Sequence, residues 1–223
     1  MSQSTRRQWD TGRFLQTLNY FETIPVVSWL QKMFLGSTPL PPPQPQAGVL
    51  FDFSQPGNDL SQTWGALDDV VMGGVSTSSL QMQKGAALFS GDVSTANSGG
   101  FASVRTRNFE PALNLSGYTG LELRLKGDGQ RYKFLVRDEE TWDAVGYSYS
   151  FDTTVDEWSS VRIPFAQLIP VFRAKTVNHA RPLNTSQVRS FQLMLSKFEY
   201  DGALNPHFKP GQFRLLMTAI AVY

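Results

Sequence analysis

Residues 64–76 read WGALDDVVMGGVS, which places a tryptophan, two adjacent acids, a methionine and a Gly-Gly pair in one short run. Residue types of this kind serve several chemistries, each with its own spacing. A phosphate loop needs Gly-x-x-x-x-Gly-Lys-Ser/Thr leading from a strand into a helix. The run has no lysine and no helical pattern after it, so that chemistry is excluded. An EF-hand needs oxygen ligands at alternate positions and a closing glutamate, whereas Asp68 and Asp69 are neighbours that point to opposite sides of an extended chain. One of them could still join a calcium site built from distant loops, although a loop acid is ordinarily solvated or caps a turn. Glycoside hydrolysis sets two carboxylates across a sugar, not side by side in sequence. Asp138, Glu139 and Glu140 in RDEETWD could supply a second acid only through the fold, and the plainer reading of that run is a charged loop in water.

The remaining nucleophile chemistries have little to work with. There are no cysteines, so thiolate catalysis, thiolate metal sites and disulfides are excluded. The two histidines, His179 in VNHARP and His207 in NPHFKP, both lie in proline-flanked loops, and no Gly-x-Ser-x-Gly elbow places a serine nucleophile. No metal, nucleotide or other cofactor is expected, and the chain is not expected to be an enzyme. The aromatic residues Trp142, Tyr147, Tyr149 and Trp158 raise a different prospect, because sandwich-type carbohydrate modules stack sugars on exposed rings. Tyr147, Tyr149 and Phe151 alternate and so share one sheet face; if that face looks inward they are core, the usual fate of large aromatics in a sandwich. The same choice applies to Trp64 and Trp158.

The elements that must position these residues follow from the apolar pattern. The 223 residues suffice for one large domain with an appendage. Charged residues make up 17% of the chain and the net charge is +1, so no global field draws in nucleic acid and partners must be recognised locally. The polar opening MSQSTRRQWDTGRF lacks a signal-peptide core, and no apolar run is long enough to span a bilayer; a soluble protein is expected. Phe14, Leu15, Leu18 and Phe21 recur at helical spacing, the pattern resumes after Pro25 with Val26, Trp29, Leu30, Met33 and Phe34, and Gly36 supplies a stop. Residues 1–36 therefore read as an amphipathic helical segment kinked at Pro25, and the prolines of residues 37–47 as an extended linker.

Beyond the linker the period changes to two. Strands are expected at 49–53, 86–93, 101–106, 120–126, 132–137, 146–151, 159–165, 190–195 and 213–222, separated by Gly, Asn, Asp or Pro clusters. This is the spacing of an antiparallel sandwich, so residues 48–223 are expected to form an all-β, jelly-roll-like β-sandwich.

Four blocks in order, W..LDDVVMGGVS, FSGDVSTANSGGFASVRT, WSSVRIPFAQLIPVFR and GQFRLLMTAIAV, resemble the signature blocks of the complex I intermediate-associated protein 30 family. They run from Trp64 nearly to Tyr223. The resemblance implies a galactose-binding-like jelly roll and a non-catalytic assembly factor for a membrane-bound electron-transfer complex, NADH dehydrogenase-like or photosystem. The kinked N-terminal segment is similar to one in cyanobacterial and chloroplast relatives linked to photosystem biogenesis. A departure is Ala174, where the family's pattern carries a glycine after the arginine.

Carried onto this chain, the resemblance marks Trp64, Asp68, Asp69, Met72, Gly73, Gly74 and Ser76 in the first block, and Gly91, Asn97, Gly99, Gly100, Phe101, Ala102, Ser103 and Arg105 in the second. They are candidate recognition loops. Asp68 or Asp69 is expected to take loop amides or to pair with Arg105. Phe14, Leu18, Phe21, Trp29, Leu30, Met33 and Phe34 are candidate attachment residues, and they can be hidden by the membrane interface, by a partner or by the sandwich itself. The expected partner is a subunit or assembly intermediate of the complex, with peripheral contact at the cytoplasmic face of a thylakoid or inner membrane. The alternative reading is a carbohydrate-binding module of the same fold.

Overall fold

The computed structural model describes residues 9–21, 40–55, 60–141 and 144–223. Asp10 acts as an N-cap, its Oδ1 accepting the amide of Arg13 at 3.0 Å. Helix α1 (Thr11–Tyr20) follows, at the helical spacing of Phe14 and Leu18. The kink expected at Pro25, and with it Trp29, Leu30, Met33 and Phe34, lies outside the described residues.

Residues 40–47 are extended, as their prolines require, but they lie along the sandwich instead of standing off it. Leu40 pairs with Phe109 and its carbonyl accepts the amide of Glu110 at 2.8 Å. A turn at Ala47 and Gly48 then leads into the first strand.

Among the described residues the strands are β1 (Val49–Asp52), β2 (Trp64–Ala66), β3 (Thr77–Met82), β4 (Ala87–Val93), β5 (Phe101–Thr106), β6 (Gly120–Lys126), β7 (Arg131–Arg137), β8 (Gly146–Asp152), β9 (Trp158–Pro164), β10 (Ile169–Phe172), β11 (Lys175–Thr176), β12 (Ser190–Ser196) and β13 (Gly211–Val222). One sheet runs β3-β4-β13-β6-β9, with β1 beside the second half of β13. The other runs β11-β10-β8-β7-β12-β5-β2. Every pairing between strands is antiparallel. The fold is the expected all-β sandwich of two antiparallel sheets with one short helix among the described residues.

The core lies between the inner faces. Leu121, Leu123 and Leu125 of β6 meet Tyr132, Phe134 and Val136 of β7 and Phe191, Leu193 and Leu195 of β12, all buried. Burying each side chain of this size is worth roughly 1.5–3 kcal/mol, which is why strict alternation fixes strand register. In β13 the inward residues are Phe213, Leu215 and Met217, then Ile220 and Val222, so the parity changes midway. A bulge between Met217 and Ala219 supplies the extra residue that keeps the second half facing the core. The carbonyl of Thr218 at the bulge accepts the amide of Phe53 at 2.8 Å.

The nine expected strands are present with ends shifted by at most two residues. Four others have no readable alternation. Strand β2 has three residues, β3 is a polar, half-exposed edge, and β10 and β11 form a short hairpin interrupted by Pro170. That hairpin explains the departure at Ala174. Phe172 pairs with Lys175, leaving a two-residue loop in which Arg173 and Ala174 have φ of 49° and 62°. Both central residues of such a turn need positive φ, which an L-residue adopts only at a cost of roughly 1–2 kcal/mol. Ala174→Gly should therefore stabilise the protein by about 0.5–1 kcal/mol, the relief being partly offset by glycine's greater freedom in the unfolded chain. Urea denaturation checks it, and an unchanged or lower midpoint would contradict the turn assignment.

Candidate functional site

The first block folds as strand β2, a 3-10 turn over Asp69–Met72, and a return into β3. Gly73, at φ 87°, closes the turn. Asp68 and Asp69 point apart, as adjacent residues on extended chain do, and each fastens a different neighbour.

Asp69 holds the second block. Its Oδ1 accepts the amide of Ser76 at 2.8 Å, and its Oδ2 accepts the Ser76 hydroxyl at 2.6 Å and the amides of Gly100 at 2.7 Å and Phe101 at 3.3 Å. Ser76 Oγ in turn accepts the amide of Ser94 at 2.9 Å. The carboxylate is enclosed so tightly that a Cβ on Gly74 would lie 2.3 Å from its Cγ, and one on Gly99 2.5 Å from its Oδ2. Glycine at both positions is thus a requirement of close approach. Asn97, at φ 53°, makes the left-handed turn between them in the chain, a conformation asparagine tolerates.

Asp68 holds the strands. Oδ1 accepts the Ser78 hydroxyl at 2.5 Å and the amide of Ser103 at 3.0 Å; Oδ2 accepts the amide of Ser78 at 2.9 Å and Arg13 Nη2 at 2.8 Å. The Ser103 hydroxyl closes the circuit by donating to the carbonyl of Leu67. Both acids are fully buried, at 0% and 1% exposure. Burial raises the Asp68 carboxyl from 3.8 to about 6 even though Ser78, Ser103 and Arg13 all act to lower it.

The expected pairing of Arg105 with either acid does not occur. Alternation along β5 sends Arg105 to the outer face of the seven-stranded sheet, where Nε donates to Ser190 Oγ at 3.1 Å and Nη2 to Asn108 Oδ1 at 3.3 Å. The guanidinium lies 5.8 Å from the Phe21 ring, and burial together with nearby Arg137 disfavours its charge. Asp68 reaches β5 only through the backbone of Ser103.

Of the other candidates, Trp64 is core, packed edge-on against Phe51. Met72 is 75% exposed at the tip of the 3-10 turn. Trp64, Asp68, Asp69 and Arg105 are buried, so they shape the loops and present no side chain to a partner.

Residues 9–21 lie against their own domain, the last of the three places open to Phe14, Leu18 and Phe21. Arg13 also donates to the carbonyl of Ser76 at 3.0 Å, Trp9 Nε1 to that of Val70 at 2.8 Å, and the Tyr20 hydroxyl to that of Ser61 at 2.9 Å. Phe14 packs on Trp9 and Phe21 on Tyr20. Sequence reasoning missed Arg13 as a site residue, and 55 positions separate it from Asp68 with no local pattern to connect them.

The other chemistries dissolve into structure. Tyr147 and Phe151 are buried, Tyr149 packs against the core, and Trp158 is exposed on the opposite sheet, so these four form no platform; Trp142 lies outside the described residues. Asp138 is buried and accepts Arg181 Nη1 and the amide of Asn184, while Glu139 and Glu140 pair with Arg181 and Arg189 at 3.5 and 2.7 Å. His207 meets Asp152 at 2.8 Å, exposed, and His179 lies in an exposed loop. Among the described residues no three His, Asp or Glu side chains gather as a metal site.

The sequence profile of the complex I intermediate-associated protein 30 family matches residues 51–217. An uncharacterized protein of Schizosaccharomyces pombe is 32% identical over 188 residues, covering 77% of this chain and 83% of its own. In structure the chain is similar to a family 11 carbohydrate-binding module from Clostridium thermocellum solved with a β-1,3-1,4-mixed-linked tetrasaccharide, with TM-score 0.56, 16% identity, and coverage of 78% of this chain and 94% of that one. The family 11 module of the cellulase Lic26A-Cel5E from the same organism gives TM-score 0.54, again at 16% identity, over 78% and 92%. At these identities the likeness concerns the fold.

Two predictions follow from the carboxylates. Asp69→Ala strands the buried donors of Ser76 and Gly100 and should cost about 3 kcal/mol or more, whereas exposed Met72→Ala should change stability by less than about 0.5 kcal/mol; equal thermal shifts would refute the fastening role. For Asp68, whose folded value lies above its unfolded one, the penalty for ionisation is absent below pH 3.8 and complete above about pH 6. Its contribution to stability therefore declines as pH rises through that window, by roughly 3 kcal/mol. Asp68→Asn cannot titrate, so denaturation at pH 4, 5, 6 and 7 should show the decline in the wild type and not in the variant.

Proposed function

Because this chain belongs to the complex I intermediate-associated protein 30 family, we propose that it is a non-catalytic assembly factor that holds a subunit or intermediate of an NADH dehydrogenase-like membrane complex. The observation that carries this reading is the disposition of the two signature blocks. In and beside those blocks Asp68, Asp69, Ser76, Ser78 and Ser103 are engaged in fastening loops to strands. What the rigid loop presents outward is Met72, a soft apolar side chain of the kind adaptable binding surfaces use. A site built this way recognises and does not react.

The family's name supports a complex I intermediate as the client, and work at the cytoplasmic face of the membrane carrying that complex is part of the proposal. A photosystem client is the competing outcome. The carbohydrate reading has the fold in its favour, but of the rings it relied on Tyr147 is buried and Tyr149 packs against the core.

Affinity purification of the tagged full-length protein from detergent-solubilised native membranes should recover NADH dehydrogenase subunits, and Met72→Asp should reduce that recovery several-fold without lowering the melting temperature. Recovery of photosystem subunits instead would reassign the client. Specific retention on immobilised mixed-linked β-glucan, with no co-purifying subunit, would overturn the assembly-factor reading.

A further inference from the structure

Helix α1 sits on the first-block loop as a ligand sits on a receptor. None of residues 9–21 belongs to the hydrophobic core. Their attachments include directional, polar ones, Arg13 to Asp68 and to the carbonyl of Ser76, Trp9 to the carbonyl of Val70 and Tyr20 to the carbonyl of Ser61, beside the Phe21 ring over the Arg105 guanidinium. Leu15 remains 59% exposed and Trp9, just before the helix, 43%, while Phe14, Leu18 and Phe21 are only partly buried. Ten residues form at best a marginal helix alone, and docking must also supply the cost of ordering them.

The seat beneath the helix does not depend on it. Without Arg13, Asp68 keeps three donors from its own framework, the amide and hydroxyl of Ser78 and the amide of Ser103. The three carbonyls that α1 engages are loop groups that water can satisfy. Gly65 leaves the place where the Tyr20 ring lies, since a Cβ there would come within 2.4 Å of it. Beside Arg13 a cleft of about 430 Å³ runs between Val70, Val75, Thr77 and Asp92, room for an occupant larger than the resident one.

We propose that the first-block loop is a receptor for an arginine-bearing aromatic helix, that α1 is its tethered resident, and that a client helix of the same chemistry binds by displacing it. The guanidinium selects the site because a buried carboxylate and a carbonyl converge on it, a match of charge and geometry that a lysine or an uncharged side chain cannot reproduce. The tether keeps α1 at an effective concentration in the millimolar range, so a free competitor is excluded unless it binds more tightly or α1 is weakened. That the natural occupant is the client rests on the function proposed above; the existence of the seat does not.

The probe is a fluorescein-labelled peptide with the sequence of residues 9–21, titrated against full-length protein by fluorescence anisotropy. Arg13→Ala protein, with its site open, should bind the peptide at least about tenfold more tightly than wild type, and a peptide carrying glutamine in place of its arginine should lose about tenfold or more of that affinity. In wild-type protein, excess native peptide should accelerate amide hydrogen exchange across residues 11–20, a readout that does not depend on any variant folding. Equal binding by the two proteins, equal binding of the two peptides, or unchanged exchange in α1 would each overturn the receptor. Peptide binding that persists while no client co-purifies would sink the assembly-factor reading and leave the receptor standing; the reverse outcome would do the opposite.

Discussion

Two carboxylates that are neighbours in the chain, Asp68 and Asp69, are carried into the interior of the sandwich. An ionised carboxylate there costs several kcal/mol unless donors surround it. Each acid meets four, and those donors come from the loop between the 3-10 turn and β3, from β3, from the loop before β5, from β5 itself and from α1. The requirement that these donors converge sets the path of both signature blocks. It places Gly74 and Gly99 where a Cβ would collide with Asp69, puts serine at 76, 78 and 103, and fixes how β2 and β3 leave the loop.

Both acids are committed to the fold by this arrangement. A catalytic carboxylate needs an oxygen directed at a substrate, and both oxygens of each acid here are directed at the protein's own amides, hydroxyls and, for Asp68, the Arg13 guanidinium. The rigidity that results is of use to recognition, because a loop whose polar groups are satisfied internally presents a fixed surface and loses little freedom on binding. The exposed residue of the block, Met72, stands on that fixed base.

The N-terminal helix adds a layer to the same site. Its arginine supplies the fourth donor of Asp68, so the helix and the loop share one electrostatic feature, and the burial that raises the Asp68 carboxyl coexists with the ion pair that lowers it. The two effects act on the same atoms, which makes the seat of α1 the place where occupancy, charge and loop geometry are coupled.

The amino-acid sequence by itself determined the fold class, the position of the N-terminal helix and nine of the strands, because alternation between core and solvent is a local property that each stretch carries independently of its partners. It also marked the blocks where glycines and acids gather. It could not reveal β2, β3 or the β10–β11 hairpin, which are too short, too polar or too interrupted to alternate, and which exist because neighbouring strands supply their hydrogen bonds. Only the tertiary structure decided that Asp68 meets Ser103 and Arg13, 35 and 55 residues away, and that Arg105 turns from both acids toward Ser190. The physical reason is the same in each case. A buried charge takes whichever donors the sheet topology brings within 3 Å of it, and that choice is made by the pairing of strands distant in sequence, about which the residues flanking the charge are silent.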